Sequence, residues 1–160
     1  MLKITLLTMG RLKEPYLRAA AAEYEKRLSA FCVLKNEELE PTRLPDKPSQ
    51  AQIAAALEDE GKRILAKIPA GAEVFALCIE GKTLTSEELS GRLSAAPLQG
   101  HSHLVFVIGS SHGLSSAVKS RADLRLSMSP MTFPHQLARI MLLEQIYRGF
   151  QINQGSSYHK

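Results

Sequence analysis

Two stretches of this chain read as continuous apolar strands: EVFALCI (Glu73–Ile79), in which the leading Glu73 alone is charged, and LVFVI (Leu104–Ile108). A strand with one wet face alternates apolar and polar residues, whereas a run that does not alternate has to be covered on both faces. Such strands belong to parallel sheets, and parallel neighbours need a crossover between them, most often a helix. The rest of the chain supplies those crossovers.

LKITLLTM (Leu2–Met9) reads as a first strand closed by Gly10. From Glu14 to Leu28, Tyr16, Leu17, Ala20, Ala21, Tyr24 and Leu28 recur at helical spacing. FCVLKNEEL (Phe31–Leu39) reads as a second strand with a charged far half. Pro41, Pro45 and Pro48 mark a loop up to Ser49, which is placed to cap the next helix. That helix runs to about Ile68 with Ile53, Ala56, Leu57, Ile64 and Leu65 inward, and its DEGKR stretch (Asp59–Arg63) reads as a solvated face. Gly81 is expected to end the Glu73 strand. Thr85 or Ser86 then opens a helix with Glu87 and Glu88 in its first turn, where carboxylates complement the helix dipole. After the Leu104 strand come the loop Gly109–Ser115, a short helix from Ser116 to about Ala122, and a last strand, Leu124–Met128. Strand and helix alternate throughout, which predicts one α/β domain over residues 1–160 with a mainly parallel sheet flanked by helices.

The final helix, Pro134 to about Phe150, is the most apolar in the sequence. Pro134 suits its first turn and Thr132 is the expected N-cap. Leu137, Ala138, Ile140, Met141, Leu142, Leu143, Ile146, Tyr147 and Phe150 surround most of it. A helix apolar on so many sides is expected to pack against its own sheet and against a second body, most simply a second copy of the chain.

With 44% hydrophobic and 22% charged residues, the composition is that of an ordinary soluble globular protein. The net charge of +4 is compatible with an RNA or phosphate partner without demanding one. Cys32 and Cys78 form no CxxC pair and read as buried thiols. The start of the chain lacks the long apolar region of a signal peptide, and no run reaches membrane-spanning length, so a reduced cytoplasm is expected. There is no GxxxxGK[ST] for a P-loop and no GxGxxG after the first strand for a dinucleotide. No metal site is expected. HExxH and Cys/His clusters are absent, and His101, His103, His112, His135 and His159 lack metal-ligand spacing. His101 and His103 read as surface positions.

In an open parallel sheet the ligand crevice lies outside the carboxyl ends of the strands. Three such ends carry small or kinked residues: Leu77–Gly81, Ile108–Gly113 and Ser127–Thr132. Each taken alone reads as a turn. Together with the terminal sequence they say more.

At IGSSHGLS (Ile108–Ser115) and at LSMSPMTFPHQLARIMLLEQIYRGFQINQGSSYHK (Leu126–Lys160), the sequence closely resembles the RlmH family of ribosomal RNA methyltransferases, of the SPOUT class. The shared pattern is a glycine loop, an S-x-x-T-x-P-H loop, an L-x-E-Q-x-Y-R helix and a terminal Tyr-His followed by a basic residue, and the resemblance extends over the whole length. One departure is Ser110, where the family pattern has a second glycine; its hydroxymethyl group is expected to narrow the pocket slightly.

The resemblance implies a carboxy-terminal trefoil knot that binds S-adenosylmethionine (SAM), and a homodimer. Carried over by motif, the cofactor would touch Leu77, Gly109, Ser129, Pro130, Met131, Thr132, Phe133 and Pro134. The implied reaction is methylation of N3 of a pseudouridine in the helix 69 loop of 23S rRNA on the assembled ribosome. That nitrogen carries a proton and is a poor nucleophile until it is lost, so the site needs a base or a cation that favours the anion. The tail supplies the catalytic candidates: Tyr158 and His159 to position the base and take its proton, and Lys160 to hold phosphate or the developing anion. His135, Arg139 and Lys160 are the candidates for RNA contact. Aromatics are only 6% with no Trp, so binding is expected to depend on phosphate contacts. The competing readings are a noncatalytic ribosome- or RNA-binding factor with the same fold, a SPOUT enzyme acting on another RNA, and an unrelated α/β enzyme with a different adenine-containing cofactor.

Overall fold

A computed structural model describes residues 1–159, His159 by its backbone alone. Five strands form one sheet: β1 (Lys3–Met9), β2 (Val33–Leu39), β3 (Glu73–Thr83), β4 (His103–Ile108) and β5 (Leu124–Ser127). Their spatial order is β2-β1-β4-β3-β5, and every pairing is parallel. Between them run the helices α1 (Pro15–Leu28), α2 (Gln50–Lys67), α3 (Ser86–Leu98), α4 (Ser116–Arg121) and α5 (His135–Asn153). A short 3-10 turn, Ser157–His159, ends the described chain.

The uninterrupted apolar runs are explained by two cores. Ile4, Leu6, Phe75, Leu104, Phe106 and Ile108 point to one face of the sheet, where they pack with Leu28 of α1, Leu93 of α3 and Leu142, Leu143 and Ile146 of α5. The intervening residues Leu7, Met9, Val74, Ala76, Val105 and Val107 point to the other face, against Ile64 of α2 and Val118 of α4. Side chains alternate between faces, but both faces are dry, so the sequence shows no alternation. Phe75 and Phe106 sit opposite each other in register, and their rings stack 4.7 Å apart. At the helix starts the sequence is explicit. Ser49 with Gln52, and Thr85 with Glu88, each form a reciprocal capping box.

Four expectations change. Gly81 does not end β3: the strand runs on to Thr83 after an irregularity and pairs again with β5. A Cβ at Gly81 would lie 2.6 Å from the Arg125 carbonyl oxygen, so glycine here admits the neighbouring backbone instead of breaking the strand. Thr132 does not cap α5. Pro134 occupies the cap position, no side chain caps it, and Thr132 is exposed two residues further out. The DEGKR stretch is not a uniformly solvated face, because Glu60 is 3% exposed. His103 is half-buried, its Nε2 2.8 Å from Thr5 Oγ1, and burial together with Lys3 and Lys35 holds its pKa below the usual imidazole range.

α5 is covered by the sheet, α1 and α3, yet Leu137 stays 41% exposed and Met141 half-exposed on its outer side. Tyr16, on the neighbouring α1, is 70% exposed. No described helix is long and apolar enough to cross a membrane.

Candidate functional site

Because all five strands run parallel, their carboxyl ends open on one side. β3, β4 and β5 lie next to one another there, and a cavity of about 700 Å³ lies among them. Leu77, Cys78, Ile79 and Glu80 line it from β3, and Ile108 to Leu114 line it from the loop after β4. Leu126, Met128, Ser129 and Met131 to His135 come from β5 and the following loop, with Ala138 from α5 and Lys119 from α4.

Local chemistry shapes two of these walls. The loop after β4 folds back on itself: the Gly113 N–H donates to the Ser110 carbonyl at 2.9 Å, and Gly113 has φ +88°, a conformation that favours glycine. Gly109 sits under this turn, where a Cβ would meet the Gly113 carbonyl oxygen at 2.3 Å. The loop after β5 is held by two hydroxyls. Ser127 Oγ donates to the Ser129 carbonyl at 3.1 Å, and Ser129 Oγ accepts the Met131 N–H at 3.0 Å.

The cavity interior is mainly apolar, with backbone polar groups at the loop edges, and Lys119 and Glu80 form an ion pair at its rim. That hydrogen bond to the ammonium keeps the Glu80 carboxyl below the usual carboxylate range. Cys78 is half-buried, and burial followed by the Glu80 charge raises its thiol pKa, which makes it a poor nucleophile. Among the described residues no cluster of three His, Cys, Asp or Glu side chains could hold a metal.

Of the residues carried over to the cofactor, Leu77, Gly109, Ser129, Met131, Thr132, Phe133 and Pro134 line the cavity. Pro130 does not: it is exposed at the tip of the turn that Ser129 closes. Four lining residues lie outside the strand ends and candidates named from the sequence: Lys119 and Ala138 lie on helices, Leu114 directly follows Gly113, and Leu126 precedes Ser127 in β5. Helical spacing from His135 is the signal that could have found Ala138.

The RNA candidates divide. His135 is half-buried at the cavity edge, its ring facing Gly10 after β1. Arg139 is 5% exposed, so its guanidinium is directed inward and not toward an external RNA. Its Nη1 donates to Glu38 Oε2 at 2.6 Å, and its Nε is buried without a partner. Glu38 therefore compensates a buried charge, and removing it alone exposes the imbalance. We expect Glu38→Ala to lose roughly 2–4 kcal/mol in urea unfolding. A loss below about 1 kcal/mol would mean that water reaches the guanidinium.

Tyr158 is not at the cavity of its own chain. Tyr158 donates its hydroxyl to Glu144 Oε1 at 3.0 Å, packs edge-on against Tyr147 with centroids 5.0 Å apart, and lies under the Arg148 guanidinium. Glu144 and Arg148 are themselves paired at 2.9 Å. α5 thus offers an aromatic face, a cation and an acceptor well down its length, and the phenol satisfies all three. Burial and the bond to Glu144 raise the Tyr158 pKa, so in this seat it is a hydrogen-bond donor and not a base. Ala138, at the cavity, and Tyr147 are separated by about 13 Å along the helix axis. The side chain of His159, and all of Lys160, lie outside the described residues.

The family model described as "Predicted SPOUT methyltransferase" matches residues 2–159. A protein of Streptococcus pneumoniae is 50% identical over 159 residues, covering 99% of this chain and 100% of its own length. Relatives in Leuconostoc mesenteroides and Streptococcus thermophilus are 49% identical with the same coverage. All three are named ribosomal RNA large subunit methyltransferase H.

Proposed function

From the premise that the chain belongs to the SPOUT methyltransferase family, we propose that it transfers the methyl group of SAM to N3 of a pseudouridine in the helix 69 loop of 23S rRNA on the ribosome, in the cytoplasm. The observation that carries the reading is the cavity at the ends of β3, β4 and β5, in a chain whose full-length relatives are named as rRNA methyltransferases.

The residues present fit the cofactor. A cavity of about 700 Å³ is within the range that takes a nucleoside-sized ligand. Leu77, Ile108 and Phe133 give apolar surface for an adenine ring, and the loop backbones give donors and acceptors for its edge. Leu77, Gly109 and the run Ser129–Pro134 are the residues that would hold it, and the trefoil knot belongs to this reading. When bound, SAM supplies a methyl group already activated on a sulfonium. The protein's own work is to orient the two reactants in line, exclude water, and take the proton from N3.

The tail residues enter through the dimer. α5 has 19 residues and spans about 28 Å from its cavity end toward its tail end. Its outer face carries Leu137, Met141, Glu144 and Arg148 at helical spacing, with Tyr158 seated on the last two. Two copies pairing these faces antiparallel about a two-fold axis bring each tail beside the partner's cavity. In that arrangement Tyr158 positions the target base as a hydrogen-bond donor, His159 accepts the N3 proton, and Lys160 holds phosphate or the developing anion. His135 contacts RNA at the cavity edge.

The test is transfer of tritiated methyl from SAM to intact ribosomes, separated subunits and free 23S rRNA, each lacking the modification. Label on the helix 69 pseudouridine of intact ribosomes is the expected result. Binding to ribosomes without label on any acceptor would leave a noncatalytic factor, and label elsewhere would redirect the substrate.

A further inference from the structure

Glu60 has no part in the chemistry above, yet its carboxylate is buried on α2 and both of its oxygens are used. Oε1 accepts from Ser110 Oγ at 2.9 Å, and Oε2 accepts from the Thr42 N–H at 2.9 Å. One side chain therefore ties together α2, the Pro41–Ser49 connection and the loop that walls the main cavity. Its neighbour Gly61 makes this approach possible: a Cβ there would lie 2.3 Å from Ser115 Oγ, so α2 runs directly against the end of that loop.

The wall itself is thin. Ser110, Ser111 and His112 line the main cavity on one side and a second cavity of about 290 Å³ on the other, beneath the proline-rich connection. A segment with open space on both sides is not fixed by close packing, as an interior segment is. The Gly113 turn fixes its internal shape, and among the described residues the Glu60–Ser110 bond is what anchors its middle to a helix. A hydrogen bond to a carboxylate is among the stronger ones available for this.

We propose that Glu60 is a positioning residue for cofactor binding, acting through Ser110 to hold the Gly109–Gly113 loop as a wall of the cavity. This rests on the reading of that cavity as the SAM site. It gives Ser110 a role beyond narrowing the pocket: the hydroxyl is the handle by which α2 grips the loop. Without the grip, the loop spends part of its time away from the binding conformation, and apparent affinity falls in proportion to the fraction that remains competent.

The experiment is calorimetric titration of S-adenosylhomocysteine into the full-length protein, with melting temperature and steady-state kinetics alongside. Ser110→Ala and Glu60→Gln are each expected to weaken binding about 3- to 10-fold. Glu60→Gln is intermediate because an amide has one acceptor end for two donors. Glu60→Ala is expected to weaken it about 10- to 30-fold, and Ser110→Ala added to Glu60→Ala to change little more, since both act through one bond. The KM for SAM rises accordingly, while kcat at saturating SAM stays within about twofold. Lower melting temperatures with unchanged affinity in Ser110→Ala and Glu60→Gln would make the carboxylate purely structural and overturn the proposal. Additive losses at the two positions would overturn it too. Failure of the wild-type protein to bind S-adenosylhomocysteine would sink the cofactor reading, and this inference with it.

Discussion

A chain ending at Gln154 is expected to fold, dimerise and bind S-adenosylhomocysteine like the full-length protein, and to transfer methyl groups at least about 100-fold more slowly. The fold survives because, among the described residues, no member of either core cluster lies beyond Phe150. The described tail contributes the Tyr158 hydrogen bond to Glu144, its ring against Tyr147 and under Arg148, and two backbone bonds that close α5, from the Gly155 N–H to the Ile152 carbonyl and from the Ser156 N–H to the Gln151 carbonyl, with Tyr158 still 37% exposed. Losing these costs about 1–3 kcal/mol, several degrees of melting temperature. The chemistry does not survive, because the groups proposed to orient the base and take its proton are gone. Activity within about threefold of full length would remove the tail from the mechanism.

The same deletion decides which cavity the tail serves. When the shortened chain is coexpressed with a Gly109→Val chain, neither homodimer has a complete site. If each tail serves its partner's cavity, a mixed dimer has one intact cavity facing one intact tail. A random mixture then recovers about a quarter of wild-type activity. If the tail turns back to its own cavity, the mixed dimer has no complete site and activity stays at background. The 13 Å or so of α5 between Ala138 and Tyr147 favours the first outcome.

What the sequence disclosed and what it withheld follow one physical division. Features set by neighbours a few residues away were legible. The caps at Ser49 and Thr85 depend on residues within three positions, and the apolar runs at Glu73–Ala76 and Leu104–Ile108 report burial directly, although Ile79 at the far end of the first is exposed. So were the strand-end loops, because a parallel sheet fixes where a crevice can form. Features set by a partner far along the chain were not. Glu60 looked solvated because its neighbours Asp59, Lys62 and Arg63 are charged, while its partner Ser110 is 50 residues away. Arg139 looked like an exposed helix cation, but Glu38, 101 residues earlier, draws it inside. Gly81 looked like a stop because its reason, the backbone of β5, arrives only with Arg125. Tyr158 was singled out from its motif, which names a residue type and a place in the chain but not the helix face on which the ring comes to rest.

Gly109→Ala is expected to cost at least about 30-fold in affinity for S-adenosylhomocysteine, or ~2 kcal/mol. The added methyl would lie 2.3 Å from the Gly113 carbonyl oxygen and 2.8 Å from its carbon, with Leu114 Cδ2 at 2.9 Å on another side. Two of these contacts are backbone, which cannot rotate away as a side-chain end does. The turn cannot open freely either, since the Gly113 N–H is bonded to the Ser110 carbonyl and the Ser110 hydroxyl to Glu60. The strain, about 1–3 kcal/mol, is relieved only by moving the whole loop, which is a wall of the cavity. Gly91→Ala is the control: it lies within α3, nothing is within 4 Å of its would-be Cβ, and alanine is the better helix former. That variant is expected to gain about 0.5–1 kcal/mol in urea unfolding with unchanged affinity. Wild-type affinity in Gly109→Ala would mean that the loop gives way without disturbing the ligand. The cofactor would then have to be held by β3 and the Ser129–Pro134 loop alone.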